Sequence, residues 1–358
     1  MTARETVRDY REGDLDGIGA LQLAVEPEMR CPPREFVDLW RWMYAQTPFG
    51  VFKVVVAQDA AGAIVGHEGI MPFALSIGGA PVVGGITCNL IVAESLRGTL
   101  LFPRLVAALV KGYPGAGFAF GYGPTRPKML KAMLALGYRD LGPLPVYVRP
   151  VDLGAVAARY VGSRALRAVL TPPLRALSAP VRWLGPRSSK RITIEAVTRF
   201  GEESRAFFED AFRRFTIFAV RTPEILNWRY FEVPHRRYTV YRATEDGRFA
   251  GYVAVRRMPM LGFDSLGIVD LAYEFDRPEI GRALLARVHR DAAAARVAFV
   301  ACMTAPRGPL GELLHRAGYL RAPEGFTMIL HEPKGHPSVF PDRALDDWYV
   351  TWFDHDYV

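Results

Sequence analysis

Hydrophobic and polar residues alternate along this chain in a way that predicts the same series of elements twice. Residues 51–72 contain two apolar strands around a polar Asp/Gly turn, a pattern that predicts a β-hairpin. Residues 237–259 repeat this design, and both segments close on Met-Pro. Each hairpin is followed by another strand and then by a helix with apolar residues at helical spacing; these are 84–94 with 101–111, and 266–275 with 280–294.

Aromatic residues before each hairpin indicate that the series arose by duplication. Trp42, Tyr44 and Pro48 in the first copy match Trp228, Tyr230 and Pro234 in the second, and the offset stays near 180–187 residues. The sequence therefore predicts two α/β (α+β) domains, 1–150 and 192–358, joined by a helical linker over 151–191. Each domain is expected to contain a mixed, mainly antiparallel sheet flanked by helices.

The charge of the chain is concentrated in one segment. The formal net charge is +8, and residues 159–191 contain eight Arg or Lys residues and no acid. Because the rest is nearly balanced, a phosphorylated small molecule is favoured as the anionic partner over nucleic acid. The basic linker, rich in Leu and Arg, predicts either weak contact with an anionic membrane surface or, as we favour, packing across the two domains.

Other composition features exclude several classes of protein. The three cysteines are far apart, and the seven histidines form no metal-ligand pattern, so neither a disulfide framework nor a metal is predicted. The N-terminal segment is charged and lacks an apolar signal core. These features predict a cytoplasmic protein, and they leave its oligomeric state open.

Four motifs resemble those of the GCN5-related N-acetyltransferase (GNAT) superfamily; they are VRDYREGDLDGIGALQ, IVGHEGIMP, IVAESLRGTLLF and MLKAMLALGY. The order of elements in both halves resembles this fold, so the chain is identified as a tandem GNAT protein. The resemblance implies an N-acyltransferase that uses acetyl-CoA, or another acyl-CoA, to modify a small-molecule amine such as an amino sugar. Two alternatives are a non-catalytic tandem protein that binds a ligand or partner, and a membrane-surface acyltransferase with longer acyl donors.

The resemblance places the cofactor in the first half. The family loop for the acyl-CoA pyrophosphate has the pattern Arg/Gln-x-x-Gly-x-Gly/Ala, and Arg97 matches its first position while Leu100 replaces the first glycine. Gly98 offers an earlier turn, so the expected binding residues are Arg97, Gly98, Thr99, Leu100 and Leu101. In the second half Pro278 removes an N–H donor after Arg277 and Glu279 adds negative charge, so that loop is expected to bind weakly.

Further roles follow from the same resemblance. The family holds the thioester carbonyl on backbone N–H groups of its fourth strand, here Leu90, Ile91 and Val92. Thr125 stands where the family often has an asparagine that binds the pantetheine arm, although a helix N-cap is an equal alternative.

The general base and acid are less well marked. Glu68 lies inside a predicted central strand of the first half and Asp270 is its counterpart in the second, so each is a candidate base, with a salt-bridged structural role as the alternative. The tyrosine that serves as acid in many members is replaced by Met133 and Leu314. Tyr122 and His315 are possible substitutes, and a structural role is favoured for both.

Overall fold

The computed structural model describes residues 5–25, 32–160, 163, 191–260, 262–340 and 345–355, and within these ranges the chain forms two sheets covered by helices. The predicted fold class is confirmed. The strands are β1 (Thr6–Asp9), β2 (Lys53–Gln58), β3 (Ile64–Ile77), β4 (Ala80–Val92), β5 (Gly121–Thr125), β6 (Arg139–Leu144), β7 (Val146–Pro150), β8 (Ile192–Val197), β9 (Ile217–Ala219), β10 (Thr239–Glu245), β11 (Arg248–Met260), β12 (Phe263–Tyr273), β13 (Phe299–Met303), β14 (Leu320–Arg321), β15 (Phe326–His331) and β16 (Trp348–Tyr349).

The α-helices lie between these strands in the order that the periodicity predicts. They are α1 (Leu15–Val25), α2 (Pro33–Tyr44), α3 (Leu101–Lys111), α4 (Pro127–Ala135), α5 (Leu153–Tyr160), α6 (Glu203–Ala211), α7 (Pro223–Tyr230), α8 (Pro278–Ala294) and α9 (Pro309–Arg316). Helix α5 begins the predicted basic linker, and residues 161–162 and 164–190 of that linker lie outside the described residues. Among the described helices, none has the length and apolar character needed to cross a membrane.

The two sheets exchange a strand. The first has the order β1-β2-β3-β4-β5-β15-β6, with β9 and β16 alongside β3, and the second has the order β14-β7-β13-β12-β11-β10-β8. Strand β15 of the second half thus lies between β5 and β6, and β7 of the first half pairs with β13 and β14. Each sheet is therefore completed by the other half, although the division of the chain at residue 150 stays a prediction.

The exchanging segments cross where the chain passes from β6 to β7. A Cβ atom on Gly325, just before β15, would lie 2.8 Å from the carbonyl oxygen of Leu144. Only glycine allows this close approach of two backbones. The crossing positions β15 beside the centre of the first sheet, where it contributes a side chain to the site described below.

A shared core joins the halves. The repeated tryptophans stack on each other, with ring centroids of Trp42 and Trp228 4.7 Å apart, and Trp42 Nε1 donates to the Trp228 carbonyl oxygen at 3.0 Å. The largest hydrophobic cluster contains residues of both halves, whereas two smaller clusters lie under α3 and α4. The duplicated motif therefore forms the interface between its two copies.

Strand β3 is longer than the hairpin predicted from the sequence, which ends at Met71-Pro72. It continues through Pro72 to Ile77 and pairs with β4 over this length. Proline is tolerated because β2 pairs with β3 only as far as Ile70 and β9 only from Leu75, so the edge of β3 between them has no partner strand.

Candidate functional site

The candidate site is a groove in the first sheet, where the central strands β4 and β5 separate. These parallel strands pair only through Gly85–Gly121 and Ile86–Tyr122. Beyond these pairs, several residues of the two strands remain half-buried, although β4 lies in the middle of nine strands; they are Thr87, Asn89, Leu90, Val92, Pro124 and Thr125. This exposure marks an opening between β4 and β5.

Strand β4 contains one extra residue beside this opening. His67 of β3 pairs with Ile91 of β4, and Gly69 pairs with Cys88. Between these two pairs β4 has two residues, whereas β3 has one. The resulting β-bulge includes Asn89, which has a φ of 54°, and asparagine adopts this left-handed conformation more readily than most residues. Of the three residues predicted to bind the thioester carbonyl, Leu90 lies in this bulge, and Ile91 and Val92 follow it.

The loop after β4 is open to solvent. The side chain of Arg97 is 53% exposed, and its carboxylate neighbour is Glu94 at 3.6 Å. Gly98 has a φ of 82°, as the early turn requires, and Thr99 Oγ1 donates to Leu96 O at 2.7 Å and accepts from Leu101 N at 3.2 Å. Leu100, the residue that departs most from the family pattern, is 67% exposed, so the side chain extends into solvent.

The corresponding loop of the second half has a different electrostatic environment. Arg277 pairs with Glu245 at 2.8 Å and with Glu279 at 2.5 Å, and Glu274 lies at 3.8 Å. Hydrogen bonds to Glu245 and Glu279 raise the pKa of Arg277. The guanidinium of Arg277 is thus already paired with carboxylates, which makes it less available to a pyrophosphate. Pro278 occupies the first position of α8.

Glu68 is buried on the face of the first sheet that packs on α3. Its side chain shares this face with Val55, its partner on β2, and only 1% of the residue is exposed. Burial raises its pKa to about 8, since a carboxylate loses its hydration there. Its Oε2 atom has no hydrogen-bond partner within the described residues.

Two tyrosines, Tyr113 and Tyr138, lie near this carboxyl group, and the ring of His331 packs against both of them. The charge of Glu68 adds to burial in raising the pKa of both tyrosines. The His331 ring lies 5.0 Å from that of Tyr138, and burial lowers its pKa. His331 belongs to β15, so the strand exchange brings it here. None of the three was predicted from the sequence.

Tyr122 and Thr125 lie on β5, at the opposite wall of the groove. Tyr122 is buried on the face away from α3, where its hydroxyl donates to Asp354 Oδ1 at 3.0 Å. Burial raises the pKa of Asp354 to about 6, and Arg221 opposes this rise. Thr125 is half-buried; helix α4 has Arg126 as its N-cap, so Thr125 is not the cap of that helix.

Asp270 lies in a buried network of side chains from the second half. It accepts from Arg221 Nε at 2.8 Å, from Thr351 Oγ1 at 2.9 Å and from Tyr349 Oη at 3.1 Å. Tyr252 also donates to it. This environment supplies the partners that a buried carboxylate needs. His315, the other candidate of the second half, is exposed on α9.

Replacing Asp270 with asparagine should destabilise the protein by about 3–5 kcal/mol, because Arg221 would remain as a buried cation without its ion-pair partner. Denaturant unfolding measures this change. The control is Asp264→Asn on the same strand, whose exposed pair with Arg257 should hardly affect the midpoint. Equal midpoints for the two variants would rule out a stabilising role for Asp270.

Comparison of the fold with solved structures identifies its class. A GCN5-related N-acetyltransferase from Anabaena variabilis aligns with a TM-score of 0.61 and 12% identity, over 92% of this chain and 73% of that one. A probable N-acyltransferase from Enterococcus faecalis aligns with a TM-score of 0.60 and 11% identity, over 92% and 73%. The chain has the GNAT fold.

An N-myristoyltransferase from Saccharomyces cerevisiae, solved with bound myristoyl-CoA, also shares this GNAT fold. It aligns with a TM-score of 0.61 and 10% identity, over 93% of this chain and 85% of that one. No family model and no curated protein matches the sequence. Within the described ranges, no three His, Cys, Asp or Glu side chains come together as metal ligands.

Proposed function

We propose that this protein is an acyl-CoA-dependent N-acyltransferase whose donor binds in the first half. The proposal rests on a contrast between the loops at Arg97 and Arg277. The Arg97 loop opens to solvent at the end of a groove beside a bulged strand, whereas carboxylates surround Arg277 in the second half. The GNAT fold supports this activity, because the solved structures that share the fold include N-acyltransferases.

The first step is binding of the acyl-CoA. The pyrophosphate lies beside Arg97 and the N-terminus of α3, where the guanidinium and the helix dipole both favour an anion. The pantetheine arm then follows the groove between β4 and β5, within reach of the Thr125 hydroxyl. The thioester carbonyl accepts hydrogen bonds from backbone N–H groups of Leu90–Val92, which stabilise the oxyanion as the amine attacks.

The second step is transfer of the acyl group. The free amine attacks the thioester carbon, a C–N bond forms, and the C–S bond to coenzyme A breaks. The amine proton passes to the Glu68 carboxylate, and Glu68 returns a proton to the departing thiolate. A carboxyl with a pKa of about 8 suits both transfers, because its pKa lies close to that of a thiol. Tyr122 and Asp270 have structural hydrogen bonds instead.

Acyl-chain length is the feature of the donor that most needs a test. Two donors are candidates: acetyl-CoA, which is the expected one, and a longer acyl-CoA, which the fold shared with an N-myristoyltransferase supports. We expect acetyl-CoA to raise the melting temperature and small-molecule amines to release free thiol. A thermal shift that grows from acetyl- to myristoyl-CoA would indicate the longer donor. No shift with any acyl-CoA would overturn the proposal and favour a non-catalytic binding protein.

A further inference from the structure

The bulge of β4 is held by a histidine that the proposed mechanism does not use. His67, on β3, is fully buried on the face of the sheet opposite Glu68. Its Nδ1 atom lies 2.9 Å from the carbonyl oxygen of Asn89, and Trp40 Nε1 lies 3.2 Å from its Nε2 atom. The ring therefore connects helix α2 to the one residue of β4 with a positive φ.

These two contacts assign the tautomer of His67. An indole N–H can only donate, so His67 Nε2 must accept and cannot carry a proton. The proton of the neutral ring is consequently on Nδ1, where it is donated to the Asn89 carbonyl oxygen. Burial lowers the pKa of His67 to about 4, so the ring keeps this donor at neutral pH.

The orientation of one peptide unit follows from this hydrogen bond. The carbonyl oxygen of Asn89 points toward His67, and the peptide units of the described chain are trans. In a trans peptide the N–H of the next residue points opposite to the carbonyl. The N–H of Leu90 is therefore directed away from the ring of His67.

The other side of the bulge is fixed as well. Asn89 Nδ2 donates to the Tyr44 hydroxyl at 3.1 Å, and the Tyr44 ring packs against Gly69, where a Cβ atom would lie 2.5 Å from the ring. The backbone carbonyl of Asn89 is thus bonded to His67 on β3, and its side chain is bonded to Tyr44 on α2. Without these contacts, a non-glycine residue would tend to leave its left-handed conformation.

We infer that His67 is a positioning residue, which holds the Asn89–Leu90 peptide unit so that the Leu90 N–H can bind the thioester carbonyl. The inference rests on the proposed acyltransferase function. His67 does not contact the substrate; it acts through the backbone of the bulge.

Two amide variants of His67 separate this role from simple filling of space. The amide nitrogen of asparagine is bonded to Cγ, as Nδ1 is in histidine, so His67→Asn can still donate to the Asn89 carbonyl. In His67→Gln the amide is one bond farther from the backbone and replaces Nε2 rather than Nδ1. We expect His67→Gln to lower kcat about 10–100-fold, part of the loss on removing an oxyanion donor, with little change in KM for acyl-CoA. His67→Asn should recover most of the rate.

Hydrogen exchange of the amides in residues 87–92 provides a readout without catalysis. Exchange should be faster in His67→Gln than in the wild type and His67→Asn. Equal exchange and equal kcat in both variants would overturn the inference. If His67→Gln does not fold, Trp40→Phe removes the indole donor that fixes the tautomer and should itself speed exchange; an unchanged rate there would also overturn it. Absence of transfer in the wild type would contradict the proposed function, while exchange would still decide the role of His67.

Discussion

Replacing Arg97 with glutamate should weaken acyl-CoA binding about 100-fold or more. A charge-assisted hydrogen bond contributes about 1.5–3 kcal/mol, and the introduced carboxylate adds repulsion toward the pyrophosphate. The loss should be large at this position because Arg97 is half-exposed and its carboxylate neighbour lies at 3.6 Å, so the guanidinium is available to a ligand. Titration calorimetry with acetyl-CoA measures the effect, and the loss should diminish as salt is added.

The duplicated chain offers a matched control in Arg277→Glu. Arg277 already pairs with Glu245, Glu274 and Glu279, so reversing its charge should leave most of the acyl-CoA affinity, although it should destabilise the second half by bringing four acids together. Stronger loss in Arg277→Glu than in Arg97→Glu, or two equal binding sites in the wild type, would show that the donor site is not confined to the first half.

Much of the fold could be predicted because its signals are local. Helix α3 begins and ends where the apolar periodicity of residues 101–111 predicts, and the hairpin at 51–72 is present. The strand exchange had no such signal. Val146–Pro150 has the same strand pattern whichever sheet it joins, and its pairing with β13 depends on residues about 150 positions later in the chain.

The site could be predicted only where a motif or an acid in an apolar strand marks it. The loop at 97–101 and Leu90–Val92 are predicted as binding residues from the family pattern, and Glu68 is predicted as a base from its position within a strand. His67 and His331 lack such a signal, because a single histidine in an apolar segment does not reveal which strand or carbonyl it will meet. For His67, the one signal in the sequence is the neighbouring acid in GHEGI, and that acid indicates a role for Glu68 but not for the histidine.

Replacing Glu68 with glutamine should lower kcat about 100–10,000-fold, the range expected for loss of a general acid–base group. Glutamine keeps the shape of the side chain but cannot exchange a proton. In the wild type, the rate should rise as pH increases through about 8, because burial holds the proton on Glu68 below that pH. The variant should lack this rise in rate and keep only the rise caused by deprotonation of the acceptor amine. An identical pH–rate profile in both proteins would exclude Glu68 as the base.

The same substitution has a second consequence that needs no substrate. The pKa of Glu68 is raised from 4.5 to about 8 on folding, so between these values the native state binds a proton that the unfolded state has lost. Stability therefore decreases as pH rises from 4.5 to 8. Glu68→Gln removes this term, and its stability should fall less over that range when both proteins are unfolded with denaturant at pH 5 and pH 8. Parallel stability profiles would show that Glu68 is not buried as a proton-binding group, and the proposed proton transfer would then lose its basis.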